Sequence, residues 1–326
     1  MGLTSFSSGV NTSFSTELNA NTAIQLSANI AFANLIGLDS VTHYAEPLDT
    51  SGGAISLAAG KTYRCSSMNI ATNNLTITGT SANPTVFLVN GNVVISASLL
   101  ADGTGVIGGA QVTYNAVGLN GNSHVSLISS VGLGHGIGGI NGSSGSNGTG
   151  GAAGTFTAFD ATPSNLQTSF NILVGASGAS GGGGYNSGGG SGGSGTKGGD
   201  SGGAIIIICS GNFNGSGGTI NVSGDNGANG QAGGNTSNGG GGAGGGGAGG
   251  TIVISYAGTY SAATYTVTGG TGGTGGNDGG GSNEGGGGGG GADGVGGNGT
   301  AGTDGTTSKG GDGGNGGTGA SYNFKI

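Results

Sequence analysis

The chain has 326 residues, 90 of them glycine, with 6% charged residues, no tryptophan and a formal net charge of −8. At 32% hydrophobic and nearly uncharged, it lacks the low-hydropathy, high-charge balance of a disordered chain. Its five basic residues, Lys61, Arg64, Lys197, Lys309 and Lys325, form no patch, which argues against a nucleic-acid partner, and no run of 18 apolar residues is present to insert in a membrane.

The first 100 residues hold only eight glycines and the remaining 226 hold 82. The N-terminus, "MGLTSFSSGVNTSF", lacks the basic region and apolar core of a secretory leader. Downstream, Leu18, Ile24, Leu26, Ile30, Phe32, Leu35 and Ile36 predict a short helix near 15–36. So apolar a helix needs a partner surface, and residues 1–50 read as an attachment or oligomerisation segment. From 51 to 131, "AISLAAGKTYRCSSMNI", "NLTITGT" and "PTVFLVNGNVVISASLL" are short β-branched runs broken by Gly, Asn and Pro. They predict a strand scaffold, either a short solenoid or a sandwich. Cys65 and Cys209 are too few for a disulfide framework, and Cys209 reads as a small buried hydrophobe.

An internal repeat organises residues 132–326. "NILVGASGASG", "INVSGDNGANG" and "YTVTGGTGGTG" each run from a strand into a glycine at every third position, starting at Gly175, Gly224 and Gly269. Each tract returns to a strand, at "GGAIIIIC", "GGTIVIS" and "GASYNFKI". A looser copy leaves near Gly132 and returns at "GTFTAF". The excursions are therefore 132–154, 175–203, 224–250 and 269–319.

Period-three glycine matches the three residues per turn of a polyproline II helix. None of Pro47, Pro84 and Pro163 lies in the tracts, so collagen is excluded and a bundle of polyglycine II helices is expected. A flexible linker has no reason to keep period three. At about 3.1 Å per residue, half of tract 224–250 reaches roughly 40 Å, and its midpoint falls at the interruption "NTSN". In tract 175–203 the interruption is "YNS". Four equal runs in 269–319 place reversals near 281, 294 and 306, at "SNE", "ADGV" and "TTSK". Interruptions sit where the chain must turn. The fold expected is all-β with a polyglycine II bundle.

Catalytic and metal motifs are missing. His43, His124 and His135 lack ligand spacing. "ISLAAGKT" has Ile55 where a P-loop needs glycine. Asp225, Asp278, Asp293, Asp304 and Asp312 do not form calcium-binding nonapeptides. The spacing of Glu46, Asp49, Asp102 and Asp160 favours no glycosidase pair. No enzyme activity and no cofactor are expected.

Tracts 175–203, 224–250 and 269–319 with their tips resemble the glycine-rich receptor-binding proteins of bacteriophage tails, above all the fibre-tip adhesins of T-even-type phages. The 51–131 region with its "GGAIIII" return is similar to β-solenoids carrying glycine insertions. The resemblance implies a virion surface protein, an oligomer with a trimer favoured, whose residues 1–50 join other tail proteins. It also implies that the tips meet a host cell-surface receptor, a glycan or an outer-membrane protein. The tip residues are Tyr185, Asn186, Asn235, Thr236, Asn238, Asn283, Glu284 and Lys309, all of types that also suit plain turns. A self-assembling structural fibre is the alternative, with ice binding through a threonine array third.

Overall fold

The computed structural model describes residues 41–43, 47–121, 136, 138–143, 146–154, 175–186, 191–234, 238–278, 283–294, 296–307 and 309–326. The helix expected over 15–36 and the return "GTFTAF" beyond Gly154 lie outside them. The described residues are all-β and contain no α-helix.

Among the described residues sixteen strands wind into coils of three. They are β1 (Val41–His43), β2 (Leu48–Asp49) and β3 (Ile55–Ala58); β4 (Thr62–Cys65), β5 (Met68–Ile70) and β6 (Leu75–Thr78); β7 (Thr85–Val89), β8 (Val93–Ile95) and β9 (Ser98–Leu100). After a long excursion come β10 (Ala204–Cys209), β11 (Phe213–Asn214) and β12 (Thr219–Asn221), then β13 (Thr251–Tyr256), β14 (Tyr260–Ser261) and β15 (Thr264–Thr266), and finally β16 (Ala320–Lys325). Successive coils stack into three parallel sheets, ordered β1-β4-β7-β10-β13-β16, β14-β11-β8-β5-β2 and β15-β12-β9-β6-β3. Of the two scaffolds the sequence leaves open, the solenoid-like one forms.

Parallel register stacks like on like. Tyr63, Phe87, Ile207 and Ile254 are partners in turn through the first sheet, and Met68, Val93, Phe213 and Tyr260 through the second. Alternation puts every second residue of the short strands inside, as in the buried–partly buried–buried pattern of Met68–Ile70 and Val93–Ile95. Cys65 and Cys209 occupy the same register position with Val89 between them. Two strand spacings, about 9–10 Å, exceed the reach of a disulfide. Both thiols are free, and burial raises each to about 11. At the last full coil Tyr256 stacks on Tyr260, whose hydroxyl pairs with that of Tyr265. β16 then sets Ser321, Asn323 and Lys325 in register with Ile252, Ile254 and Tyr256, ending the apolar column in polar residues.

The long excursions leave and return at one corner, between the third sheet and the first: β9 to β10, β12 to β13 and β15 to β16. At the same corner the β3–β4 and β6–β7 connections are short. Within the excursions the described residues form extended runs: run 1 (104–112), run 2 (116–121), run 3 (136 and 138–142), run 4 (146–154), run 5 (175–186), run 6 (191–203), run 7 (222–234), run 8 (238–250), run 9 (267–278), run 10 (283–294), run 11 (296–307) and run 12 (309–319).

Run 8 shows how they pack. Gly242, Gly245 and Ala248 donate to run 5; Ala243, Gly246 and Gly249 donate to run 12; Gly241, Gly244 and Gly247 donate to run 7. Its carbonyls accept from Thr196, Gly199 and Gly202 of run 6, from Gly286, Gly289 and Ala292 of run 10, and from Gly270, Gly273 and Gly276 of run 9. Each neighbour is addressed at every third residue, and run 8 has six neighbours. From 241 to 248 every N–H donates and every carbonyl accepts, so the buried backbone is satisfied without a sheet or an α-helix. Runs 5 and 10 are likewise ringed by six.

Outer runs replace missing neighbours with side chains. In run 9, Gly270, Gly273 and Gly276 donate to run 8, while Thr271 and Thr274 donate to Asn226 and Asn229 Oδ1 at 2.8 and 2.9 Å. Gly272 and Gly275 donate to Asn315 and Asp312 Oδ1 at 2.9 and 2.8 Å. The Asn and Asp residues at the bundle edge act as a comb of acceptors.

Glycine is required inside because a Cβ on Gly242 would fall on the Gly287 carbonyl oxygen, and one on Gly245 on that of Gly290. Overpacking of this kind costs about 1–3 kcal/mol or more, and here the obstacle is backbone. Gly245→Ala is expected to lower the melting midpoint by several degrees in a thermal melt. Gly52→Ala, where a Cβ meets nothing within 4 Å, is expected to leave it unchanged.

Candidate functional site at the far end of the bundle

The runs join the solenoid near residues 101, 203, 222, 250, 267 and 319. Their opposite ends gather at the far end of the bundle. Of the three reversals expected in 269–319, those between runs 9 and 10 and between runs 11 and 12 lie at this far end. The third, at 293–297, lies close to the solenoid.

Four of the tip residues meet around Tyr185. Its N–H donates to the Glu284 carbonyl at 3.0 Å, and its carbonyl accepts from Gly239 at 2.9 Å. Asn186 and Asn238 form an antiparallel bridge. Lys309 bridges Asn277, and a Cβ on Gly285 would fall on the Lys309 carbonyl oxygen, so Lys309 backs onto the residue after Glu284. Asn283 precedes Glu284 at the start of run 10 and is half-buried. Asn235 and Thr236 lie outside the described residues. Asn238 is fully buried, and neither polar atom of its amide has a partner among the described residues.

Sequence reasoning missed a further turn at this end. Asn115, in the left-handed region at φ 55°, donates its N–H to the Gly184 carbonyl at 3.2 Å, and its Oδ1 accepts from Asn186 N–H at 3.0 Å. Tyr114 beside it is 40% exposed. The signal was available: "TYNAVG" and "GYNSGG" share the dipeptide Tyr-Asn, and both copies stand at reversals of the chain.

Charge is arranged differently at the two ends. At the tip, Lys309 Nζ pairs with Asp312 Oδ1 at 2.7 Å. Burial of Asp312 opposes ionisation, but the Lys309 and Gly275 hydrogen bonds and the Lys309 charge outweigh it and lower its pKa. Toward the solenoid, Asp225 shares its surroundings with Asp200 and Asp102, and Lys197 pairs with Asp200 at 2.7 Å. Desolvation, then the two neighbouring carboxylates, raise the Asp225 pKa. Among the described residues no group of three or more His, Cys, Asp or Glu could hold a metal ion, and no helix is long and apolar enough to cross a membrane.

Compared with known proteins, the chain matches no family model, no curated sequence and no solved structure.

A raised carboxylate pKa means the folded state favours the protonated form, so stability falls as pH rises from the ordinary carboxylate value through the folded one. Asp225→Asn is therefore expected to raise the melting midpoint at pH 7 and to match the native chain near pH 3. A lower midpoint at pH 7 would show that the carboxylate is stabilising.

Proposed function

We propose that the glycine-rich runs are polyglycine II helices and that the protein is a phage tail adhesin, which meets a host cell-surface receptor with the turns at the far end of the bundle. One observation carries this reading: both described tyrosines of the bundle, Tyr114 and Tyr185, stand at the end remote from the solenoid, beside the other tip residues. Tyr185, Asn186, Asn238, Asn283, Glu284 and Lys309 sit there, and the twelve or so residues of each run set that surface roughly 35–40 Å out at polyproline II rise. The turns offer an aromatic ring, amides and charges together. Short turns held on a stiff stem follow the general rule that loops positioned by a rigid scaffold carry binding.

In this reading residues 1–50 attach the protein to other tail proteins, and a homotrimer displays three tips on the virion surface. A structural fibre without specificity would have no need to gather Tyr and Asn at the reversals. Ice binding would use the exposed threonine rows, Thr268, Thr271 and Thr274 on run 9 and Thr300, Thr303 and Thr306 on run 11. The ion pair of Lys309 and Asp312 on run 12, between those rows, interrupts the regular hydroxyl array that such a surface needs.

The test is binding of the labelled full-length protein to a panel of bacterial cells. Replacing Tyr185–Asn186 and Asn283–Glu284 by Gly-Ser pairs is expected to reduce binding at least tenfold with the melting midpoint preserved. Unchanged binding and an unchanged spectrum of recognised strains would sink the receptor role of the tips.

A further inference from the structure

Seven tyrosines fall among the described residues, and five are engaged. Tyr63 donates to the Ala58 carbonyl at 2.8 Å and stacks on Phe87. Tyr256, Tyr260 and Tyr265 close the solenoid core, and Tyr322 packs on the outer apolar cluster of the first sheet. Tyr114 and Tyr185 have neither a ring partner nor a hydroxyl partner among the described residues, and both stand at the far end of the bundle. Their Tyr-Asn turns are clasped together, since Asn186 N–H donates to Asn115 Oδ1 and Asn115 N–H to the Gly184 carbonyl. Beside this clasp, bridged to Asn186, lies the buried Asn238 amide with no partner for its oxygen or nitrogen among the described residues. Leaving a buried polar group unsatisfied costs about 1–3 kcal/mol, so a native structure that keeps one calls for a role.

We infer that the paired Tyr-Asn turns, backed by the buried Asn238 amide, form a binding site for an uncharged glycan. This rests on the receptor-binding reading and names the receptor's chemical class. Tyrosine offers a rigid, amphipathic face at low entropic cost, and the electron-rich ring face complements the C–H face of a pyranose. A primary amide both donates and accepts, as sugar hydroxyls do, so Asn115 and Asn186 suit a neutral polyol, with the unspent Asn238 amide buried behind them. A polyanion is disfavoured by the chain's net charge of −8 and by the Lys309 ammonium already being paired with Asp312.

The experiment measures the full-length protein on an array of neutral hexose and N-acetylhexosamine oligosaccharides, and in parallel on bacterial cells treated with periodate or with protease. Expected are binding to at least one neutral oligosaccharide series and loss of cell binding after periodate but not after protease. Tyr185→Ala and Tyr114→Ala should each weaken array binding about tenfold or more, the scale of an aromatic hot spot. Tyr185→Phe, which keeps the ring face and the fold, should retain most of it. A silent array overturns the glycan site, as does array binding indifferent to both alanine variants. Cells bound in a protease-sensitive, periodate-resistant way would overturn the glycan while leaving the adhesin reading intact. Array binding without attachment to any cell would do the reverse.

Discussion

Backbone pairing across gaps that admit only hydrogen is the constraint on which the molecule depends. In run 8 three successive residues point their peptide groups at different neighbours. Six surrounding runs can be addressed only if nothing larger than a hydrogen projects into the contact, because the positions a Cβ would take are already held by carbonyl oxygens. Ordering glycine is costly, at about 1–2 kcal/mol of backbone entropy per residue. The compensating gain comes from near-complete satisfaction of buried N–H and C=O groups, which elsewhere requires sheets or α-helices. Density of backbone pairing stands in for side-chain packing.

That arrangement has to be seeded in the correct lateral order, and the solenoid supplies the order. Its stacked apolar columns of Phe87, Ile207, Ile254 and their neighbours fix three parallel sheets, so each coil presents the same corner one strand spacing above the last. Every long excursion starts and ends at that corner, which brings run 6, run 8 and run 12 out side by side. Where lateral neighbours run out, Asn226, Asn229, Asp312 and Asn315 supply side-chain oxygens to the outermost backbone. The same device closes the edge of the bundle, since acceptors already occupied offer little to an additional strand. The glycines fix the stem, and the chemistry left over is displaced to the turns.

Much of this was legible in the sequence because period is a physical signature. Glycine at 224, 227 and 230 sets a step of three, and the hydrogen bonds of those residues to Thr268, Thr271 and Thr274 keep the same step. Tract midpoints place reversals at "YNS", "NTSN", "SNE" and "TTSK", and the described residues on either side of each lie in runs of opposite direction. The first excursion was harder. Runs 1 and 2 hold Ile107, Val117 and Leu119 among their glycines, so their composition resembles the strands before them, and the turn at Tyr114–Asn115 was hidden in that stretch. Side-chain acceptors such as Asn315, which serves a backbone group 43 positions away, are invisible without lateral order. Nor could spacing alone show that Cys65 and Cys209 stand two coils apart on one column.

Amide hydrogen exchange read by peptide mass spectrometry tests the central claim most directly. If the glycine tracts are a paired array, peptides covering 241–248 will be protected to the same order as those covering Ile205–Ile207 in the solenoid, because both are buried and fully hydrogen-bonded. Exchange of 241–248 at the intrinsic rate of an open chain, with the solenoid strands still protected, would contradict the paired array and leave the tracts as linkers.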